Sequence, residues 1–279
     1  MDLKERLHNH LIQIVRDREP YLATAGHFYV QQYIRQELEQ WGAVEIHEFQ
    51  VRGKTHQNLI LNLPASTENQ KPPILIGAHY DAAPGTPGAD DNATGVAVLL
   101  ELARAFAPAP ARYPIRLVAF DMEEYGLLGS AQYAADLRQQ QQPLRLMISL
   151  EMLGYCDATP GSQRYPAGLE RLYPNRGDFI ALVGNLPTIP DLIHLSRNIR
   201  KDGTPSEWLP VPNRGLMVPQ TRLSDHSPFW DKGYRAIMVT DTAFMRNPHY
   251  HQASDRIDTL DLDFLTGVCR GLTSGIRAL

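Results

Sequence analysis

The sequence lacks several features that would assign it to a specialised class of protein. It has only two cysteines among its 279 residues, Cys156 and Cys269, which are far apart and form no Cys-x-x-Cys pair. Neither a disulfide scaffold nor a zinc finger can be built from them, so we expect two reduced thiols. The chain also contains no internal repeat and no low-complexity linker, which favours a single domain over residues 1–279.

Clustered positive charge and long apolar runs are missing as well. The formal net charge is -4, and Lys and Arg are scattered along the chain, which leaves no electrostatic footprint for nucleic acid or for an anionic membrane. No apolar run approaches the roughly 20 residues of a membrane span, and the N-terminus lacks the apolar segment of a signal peptide. We therefore predict that the protein binds neither partner and, unless processing removed a leader, resides in the cytoplasm.

The spacing of the apolar residues predicts an α/β fold. Hydrophobic residues make up 43% of the chain and charged residues 21%, which is enough for a sizeable core. Two amphipathic helices are predicted within residues 1–42. Beyond them strands and helices alternate, which is typical of a mixed, mostly parallel central sheet flanked by helices on both faces. Two stretches without a clean period, residues 155–177 and 203–220, are expected to form the walls of a cleft.

Acidic side chains and one imidazole collect at the ends of three predicted strands. They are His79, Asp81, Asp121, Glu123, Glu124 and Glu151. In an open α/β sheet the carboxyl ends of the strands share one crevice, so these side chains should meet there. So many acids would repel one another and resist ionisation, a difficulty that one or two divalent cations remove. The sequence therefore predicts a metal site at this edge of the sheet.

Five short motifs lie in order between residues 79 and 255. They are His79-Tyr-Asp81, Gly88-Ala-Asp-Asp-Asn-Ala-Thr-Gly95, Glu123-Glu-Tyr-Gly-Leu-Leu-Gly-Ser130, Glu151-Met-Leu-Gly-Tyr155 and Tyr250-His-Gln-Ala-Ser-Asp255. Together they resemble, in order and spacing, the motifs of the M28 zinc aminopeptidases. Any one of them is a weak signal, but five in the right order are highly specific. The resemblance implies a metal-dependent hydrolase that removes the N-terminal amino acid from peptides.

The resemblance also implies a role for each matching residue. It implies two zinc ions as the cofactor, held by five ligands, His79, Asp91, Glu124, Glu151 and His251. Asp91 matches the carboxylate that bridges both ions. Glu123 matches the general base that takes a proton from the zinc-activated hydroxide and passes it to the leaving amine. Tyr250 resembles a tyrosine that holds the substrate carbonyl oxygen as it becomes an oxyanion.

Four further residues are expected to support the ligands. Asp81 matches an acid that orients the His79 ring, and Asn92 falls where the family has a cis peptide bond after the bridging aspartate. Asp225 and His226 resemble an Asp-His pair near the active site of the family, although a helix N-cap would also explain Asp225.

One ligand departs from the commoner pattern of the family. Most of these aminopeptidases have Asp where this chain has Glu151, whose longer side chain can still reach a metal. Three other functions remain open: a glutaminyl-cyclase-like acyltransferase with a single zinc, a carboxypeptidase with the same metal centre, and a receptor-like domain that has lost its ligands. Because every ligand position carries a competent side chain, the sequence favours the peptidase.

Overall fold

The computed structural model describes residues 1–67 and 71–279. The α-helices within these ranges are α1 (Leu3–Ile14), α2 (Thr24–Glu39), α3 (Gly95–Phe106), α4 (Leu128–Gln139), α5 (Ile189–Lys201), α6 (His226–Asp231) and α7 (Leu262–Arg277). The strands in the same part of the chain are β1 (Val44–Val51), β2 (Lys54–Leu63), β3 (Ile74–His79), β4 (Ile115–Phe120), β5 (Leu146–Glu151), β6 (Ile180–Asn185), β7 (Ser206–Val211) and β8 (Ala236–Thr240).

The strands form one eight-stranded sheet in the order β1-β2-β4-β3-β5-β8-β6-β7. The four central strands β4, β3, β5 and β8 are parallel neighbours, and β7 is parallel to β6. The pairs β1 with β2, β2 with β4, and β6 with β8 are antiparallel. This mixed, mostly parallel sheet confirms the predicted fold class.

Helices cover both faces of the sheet, as predicted. The apolar sides of α1, α2, α3, α5 and α7 form one core with one face of the sheet, and α4 and α6 form a second core with the other. Burial from both sides explains why β3 is apolar at consecutive positions, since every residue from Ile74 to His79 is buried. Because β3, β4, β5 and β8 are parallel, their carboxyl ends lie at one edge of the sheet.

The two irregular stretches have different structures. Residues 155–177 contain no helix or strand in the described structure, and an isolated bridge between Asp157 and Gly177 closes this segment. Residues 203–220 are not irregular throughout, because they contain β7 at the edge of the sheet. Pro210 made this strand hard to predict from the sequence. An edge strand tolerates proline, because a residue whose backbone nitrogen points to the unpaired side needs no N–H for the ladder.

Two predictions from composition can be compared with the structure directly. Cys156 and Cys269 are both free thiols. Among the described residues, no helix combines the length and the apolar character that a membrane crossing requires.

Candidate metal centre

Two groups of potential metal ligands lie at the carboxyl edge of the central strands. One consists of His79, Glu123 and Glu151, and the other of Asp91, Glu124 and His251. Within each group, one ligand atom from each residue lies within 4.8 Å of the others. These side chains come from β3, from the loop that follows it, from the segment after β4, from β5 and from the loop before α7. The fold therefore brings together all five predicted ligands and Glu123.

Asp91 connects the two groups through its carboxylate. Asp91 Oδ1 lies 3.3 Å from His79 Nε2, and Asp91 Oδ2 lies 3.1 Å from His251 Nε2. The two oxygens of one carboxylate thus face two different imidazoles. Burial raises the pKa of Asp91, but the two neighbouring imidazoles outweigh it and lower the pKa below its usual value. This arrangement suits a carboxylate that bridges two cations.

His79 lies in the buried half of the site. His79 Nε2 is 3.7 Å from Glu151 Oε2, and His79 Nδ1 is 3.4 Å from Asp81 Oδ1. Burial opposes the charged form of this imidazole, but the carboxylates of Glu123 and Glu151 outweigh it and raise the His79 pKa well above its ordinary value. Neither ring nitrogen makes a hydrogen bond within the described part of the chain.

His251 and Glu124 form the more accessible half. His251 Nε2 lies 3.1 Å from Glu124 Oε2, at the same distance as from Asp91. Burial and the nearby Asp91 carboxylate raise the pKa of Glu124 to about 7. Burial lowers the pKa of His251, but the nearby carboxylates of Asp91 and Glu124 prevail and raise it to about 10.

The donor atoms fit divalent metal ions. Imidazole nitrogens and carboxylate oxygens are the ligands zinc takes from His, Asp and Glu. Two of the buried atoms that face the site, His79 Nε2 and Glu124 Oε1, have no hydrogen-bond partner among the described residues. Buried polar atoms without a partner are uncommon in folded proteins, and a bound ion accounts for such groups.

Asp81 and Asn92 hold the backbone around the ligands. Asp81 accepts hydrogen bonds from the backbone N–H groups of Glu123 (3.1 Å) and Glu124 (3.2 Å), in addition to its contact with His79. The peptide bond between Asp91 and Asn92 is cis, as the resemblance implied. The Asn92 side chain donates to the Leu150 carbonyl (2.8 Å) and accepts from the Met152 N–H (3.1 Å). The loop that carries Asp91 is thereby tied to β5.

Asp225 and His226 have different surroundings, although they are adjacent in the chain. Asp225 is fully buried, and burial raises its pKa to about 7, with the charges of His79 and Glu151 close enough to influence it. His226 Nε2 donates a 2.8 Å hydrogen bond to the Thr221 carbonyl, and its ring lies edge-on to Trp230 at 4.3 Å between centroids. The contacts of His226 therefore anchor α6 to the preceding loop.

Asp121 directly follows β4 but lies outside both ligand groups. Its Oδ1 accepts a 2.8 Å hydrogen bond from His27 Nε2, and its Oδ2 lies 3.1 Å from His56 Nδ1. Burial raises the pKa of Asp121, but the two histidines outweigh it and lower the pKa to about 2. Of the acids predicted at the strand ends, this one pairs with histidines from α2 and β2.

Two supporting residues were missed in the sequence. Asp255 accepts hydrogen bonds from the backbone N–H groups of Asp90 (2.9 Å) and Asp91 (3.1 Å). Ser224 Oγ donates a 2.7 Å hydrogen bond to Glu151 Oε2. The place of Asp255 in the fifth motif was a usable signal, whereas nothing in the sequence marks Ser224 as a partner of Glu151.

Tyr250 and an apolar pocket lie beside the ligands. The Tyr250 ring stacks on the His251 ring, with 3.8 Å between centroids and 20° between planes. Glu151 and Tyr250 border a pocket of about 100 Å³. Its apolar walls include Tyr165, Tyr173, Phe179, Val183, Trp208 and Met238. Both cleft-forming stretches predicted from the sequence, residues 155–177 and 203–220, contribute to these walls.

Comparison with known proteins gives matches in both sequence and structure. Residues 58–184 match Peptidase family M28. The uncharacterized protein YfbL of Escherichia coli (strain K12) is 39% identical over 259 residues, which are 86% of this chain and 77% of that protein. Aminopeptidase YwaD of Bacillus subtilis (strain 168) is 39% identical over 105 residues, which are 36% of this chain but only 22% of that protein.

Solved structures show the same fold at lower identity. The Legionella pneumophila LapA aminopeptidase superposes with a TM-score of 0.73 at 18% identity, over 99% of this chain and 71% of LapA. A glutaminyl cyclase from Bacteroides thetaiotaomicron superposes with a TM-score of 0.72 at 18% identity, over 99% of this chain and 97% of the cyclase. At these identities the likeness concerns the fold alone, which enzymes with different reactions share.

Proposed function

Because this chain belongs to peptidase family M28, we propose that it is a zinc-dependent aminopeptidase that removes the N-terminal residue from peptides. The observation that carries the proposal is the placement of Asp91, whose two carboxylate oxygens face His79 and His251 separately. A second acid accompanies each histidine, Glu151 beside His79 and Glu124 beside His251. This symmetry supports two metal ions more than one.

We assign the ligands to two sites. His79, Asp91 and Glu151 would hold one zinc ion, and Asp91, Glu124 and His251 the other. When bound, two zinc ions would polarise the peptide carbonyl group and lower the pKa of the attacking water. Asp81 fixes the His79 ring from the side opposite the ligand atom, since it lies against Nδ1 while Nε2 faces Asp91.

Glu123 is the proposed general base. Its carboxylate lies within the group formed with His79 and Glu151, next to the ligand Glu124 in the chain. Burial raises its pKa well above the usual value; His79 opposes this effect, whereas the like charges of Glu151, Asp225 and Glu124 add to it. A raised pKa suits a carboxyl group that must both accept and release a proton near neutral pH. Glu123 would accept a proton from the attacking water and donate it to the leaving amine.

Tyr250 is the proposed partner of the substrate carbonyl oxygen. Burial, assisted by the surrounding carboxylates of Asp91 and Glu151, raises the pKa of its phenol. The hydroxyl group therefore stays protonated at neutral pH and can donate a hydrogen bond as negative charge develops on the oxygen. Its stacking on His251 restricts the ring to the edge of the site.

The pocket supports a preference for apolar N-terminal residues. It opens beside Glu151 and Tyr250, and aromatic and aliphatic side chains form most of its wall. An apolar substrate side chain would bury its surface there and contribute about 25 cal/mol for each Å² removed from water. We propose that large apolar residues such as leucine and phenylalanine are cleaved faster than glycine or aspartate.

A substrate panel combined with metal analysis tests the proposal. Purified protein should contain close to two zinc ions per chain and hydrolyse leucine p-nitroanilide but not its N-acetyl form, because the free amine is required. Glu123→Gln should lower kcat by about 10²–10⁴-fold while leaving the zinc content unchanged. Full activity in that variant would refute the assignment of the base.

The same panel separates the alternatives. Cyclisation of N-terminal glutaminyl peptides with one zinc per chain would favour the glutaminyl cyclase, whose fold this chain shares over nearly its whole length. Release of C-terminal residues from N-blocked peptides would favour a carboxypeptidase. Binding of peptides without turnover in zinc-loaded protein would favour a receptor-like domain.

A further inference from the structure

Arg18 is a fully buried arginine in the connection between α1 and α2. In the described structure its guanidinium group bonds to main-chain carbonyl oxygens, and no carboxylate is among its hydrogen-bond partners. A buried charge that is not paired with an opposite charge is costly, so such a group is retained only where its environment satisfies it well. Its location lies outside residues 58–184, the part of the chain that matches the peptidase family.

Four of these carbonyl groups belong to the segment that carries Asp91. Arg18 Nε donates to the Tyr80 carbonyl (2.9 Å), Nη1 to that of Pro87 (2.5 Å), and Nη2 to those of Gly88 (2.8 Å) and Asp91 (3.3 Å). The planar guanidinium group presents five donors in a fixed geometry, which allows one side chain to hold several points of a loop at once.

Gly88 shows how closely the arginine approaches the loop. Its φ of 61° lies in the left-handed region, and a Cβ atom at this position would lie 2.7 Å from Arg18 Nη2 and 2.3 Å from the Asp91 carbonyl oxygen. A side chain at residue 88 would therefore displace either the guanidinium group or the backbone of Asp91.

Asp255 holds the same backbone from the other side. Its carboxylate accepts from the N–H groups of Asp90 and Asp91, while Arg18 donates to the carbonyl group of Asp91. The backbone of Asp91 is thus bound at both its N–H and its C=O. Burial lowers the pKa of Arg18, and the charges of four nearby carboxylates, those of Asp255, Asp91, Asp81 and Glu124, oppose this decrease. The guanidinium group therefore lies close to the acids of the site.

The neighbouring residue Glu19 makes a second connection to the metal centre. Glu19 is also buried, and its Oε1 accepts a hydrogen bond from the hydroxyl group of Tyr125, which follows Glu124. Its Oε2 accepts from the Tyr21 N–H at 2.9 Å. Two consecutive residues of the α1–α2 connection therefore contact two of the three segments that carry the group of Asp91, Glu124 and His251.

We propose that Arg18 is a positioning residue of the metal centre, which holds the loop from Tyr80 to Asp91 so that the Asp91 oxygens face His79 and His251. This inference rests on the proposed function, because it presumes that the site binds metal. It adds that the segment before β1 is required for metal affinity, through a side chain that touches neither metal nor substrate.

Cobalt binding provides a readout that does not depend on turnover. Metal-free protein would be titrated with Co²⁺, followed by visible absorption and by competition with a chelator, in the unchanged protein and in Arg18→Met and Arg18→Lys. We expect Arg18→Met to weaken Co²⁺ binding by about tenfold or more, as is typical when a partner of a ligand is removed. Arg18→Lys keeps the charge but cannot span the four carbonyl groups, so it should also lose affinity, to a smaller extent.

Arg145→Met is the matched control. Arg145 lies immediately before β5, at the amino-terminal ends of the central strands and so away from the metal centre. It donates a 2.7 Å hydrogen bond to Asp191. Its loss should leave Co²⁺ affinity unchanged. Urea unfolding of the metal-free proteins, measured in parallel, separates a loss of overall stability from a loss of metal affinity.

The outcomes are distinguishable. If Arg18→Met does not fold, Arg18→Lys decides the question. Co²⁺ affinity indistinguishable from that of the unchanged protein in the folded variant, whatever its stability, would overturn the positioning role of Arg18 and leave the proposed function intact. Failure of the unchanged protein to bind Co²⁺ would overturn the metal centre itself, and the role of Arg18 with it.

Discussion

Replacing Ser224 by Ala tests how the longer ligand Glu151 is held. Ser224 Oγ donates a 2.7 Å hydrogen bond to Glu151 Oε2 and lies 2.9 Å from Ser149 Oγ. All three residues are buried. A hydrogen bond to a charged group contributes about 1.5–3 kcal/mol, so its loss should weaken zinc binding at the Glu151 site by about 10- to 150-fold.

The assay is competition for zinc with a fluorescent chelator, together with kcat/KM for leucine p-nitroanilide. Ser149→Ala is the control, because Ser149 reaches Glu151 only through Ser224 and should have a smaller effect. In Glu151→Asp the carboxylate is withdrawn by about 1.5 Å, so adding Ser224→Ala should cost less there than in the unchanged protein. An equal cost in both backgrounds, or unchanged zinc affinity in Ser224→Ala, would refute the reasoning.

Three further predictions concern metal removal, the pocket and pH. Compared with protein in free zinc at 100 times the dissociation constant, chelation should lower the free energy of unfolding by about 2.7 kcal/mol for each zinc ion removed; superimposable urea curves would contradict a bound metal. Ala181→Phe should narrow the pocket and lower kcat/KM for phenylalanine p-nitroanilide relative to kcat/KM for alanine p-nitroanilide. Leu186→Phe, at an exposed position, should leave the ratio of these two values unchanged. Asp121, whose pKa is lowered to about 2 in the fold, stabilises the protein above its unfolded pKa of about 3.9, and this contribution is lost as the pH falls towards 2. Asp121→Asn should therefore destabilise the metal-free protein at pH 7, and its difference from the unchanged protein in urea unfolding should shrink between about pH 4 and 2; a constant difference would show that the carboxylate charge is not responsible.

The central part of the fold could be predicted from the sequence because its signals are local. The consecutive apolar residues of β3 indicate a strand covered on both faces, and the structure buries all of them. The edge strand β7 was not predicted, because four of its six residues are only partly buried and it contains Pro210. An edge strand depends on pairing with β6, and pairing between distant segments leaves little trace in a local pattern.

In the candidate site, too, the residues with local sequence signals could be predicted and those that depend on distant contacts could not. The predicted ligands lie within short motifs at strand ends, so the rule that such ends share one crevice was sufficient to bring them together. Arg18, by contrast, contacts Gly88 across 70 positions of the chain, and an arginine between two helices carries no signal of its partner. The same holds for Ser224 and Glu151, which are 73 positions apart. Supporting residues of this kind become visible only when the tertiary contacts are known.

The pocket and the metal ligands are carried by different parts of the sheet. The ligands lie at the ends of β3 and β5, in the segments after β3 and β4, and before α7. The pocket is walled by residues of β6, β7 and β8 and by the irregular segment 155–177. Only Glu151 and Tyr250 border the pocket from the side of the ligands. Substitutions at the other pocket positions can therefore accumulate over generations without disturbing the metal centre. Descendants of one ancestral enzyme could acquire new substrate preferences while inheriting the same reaction.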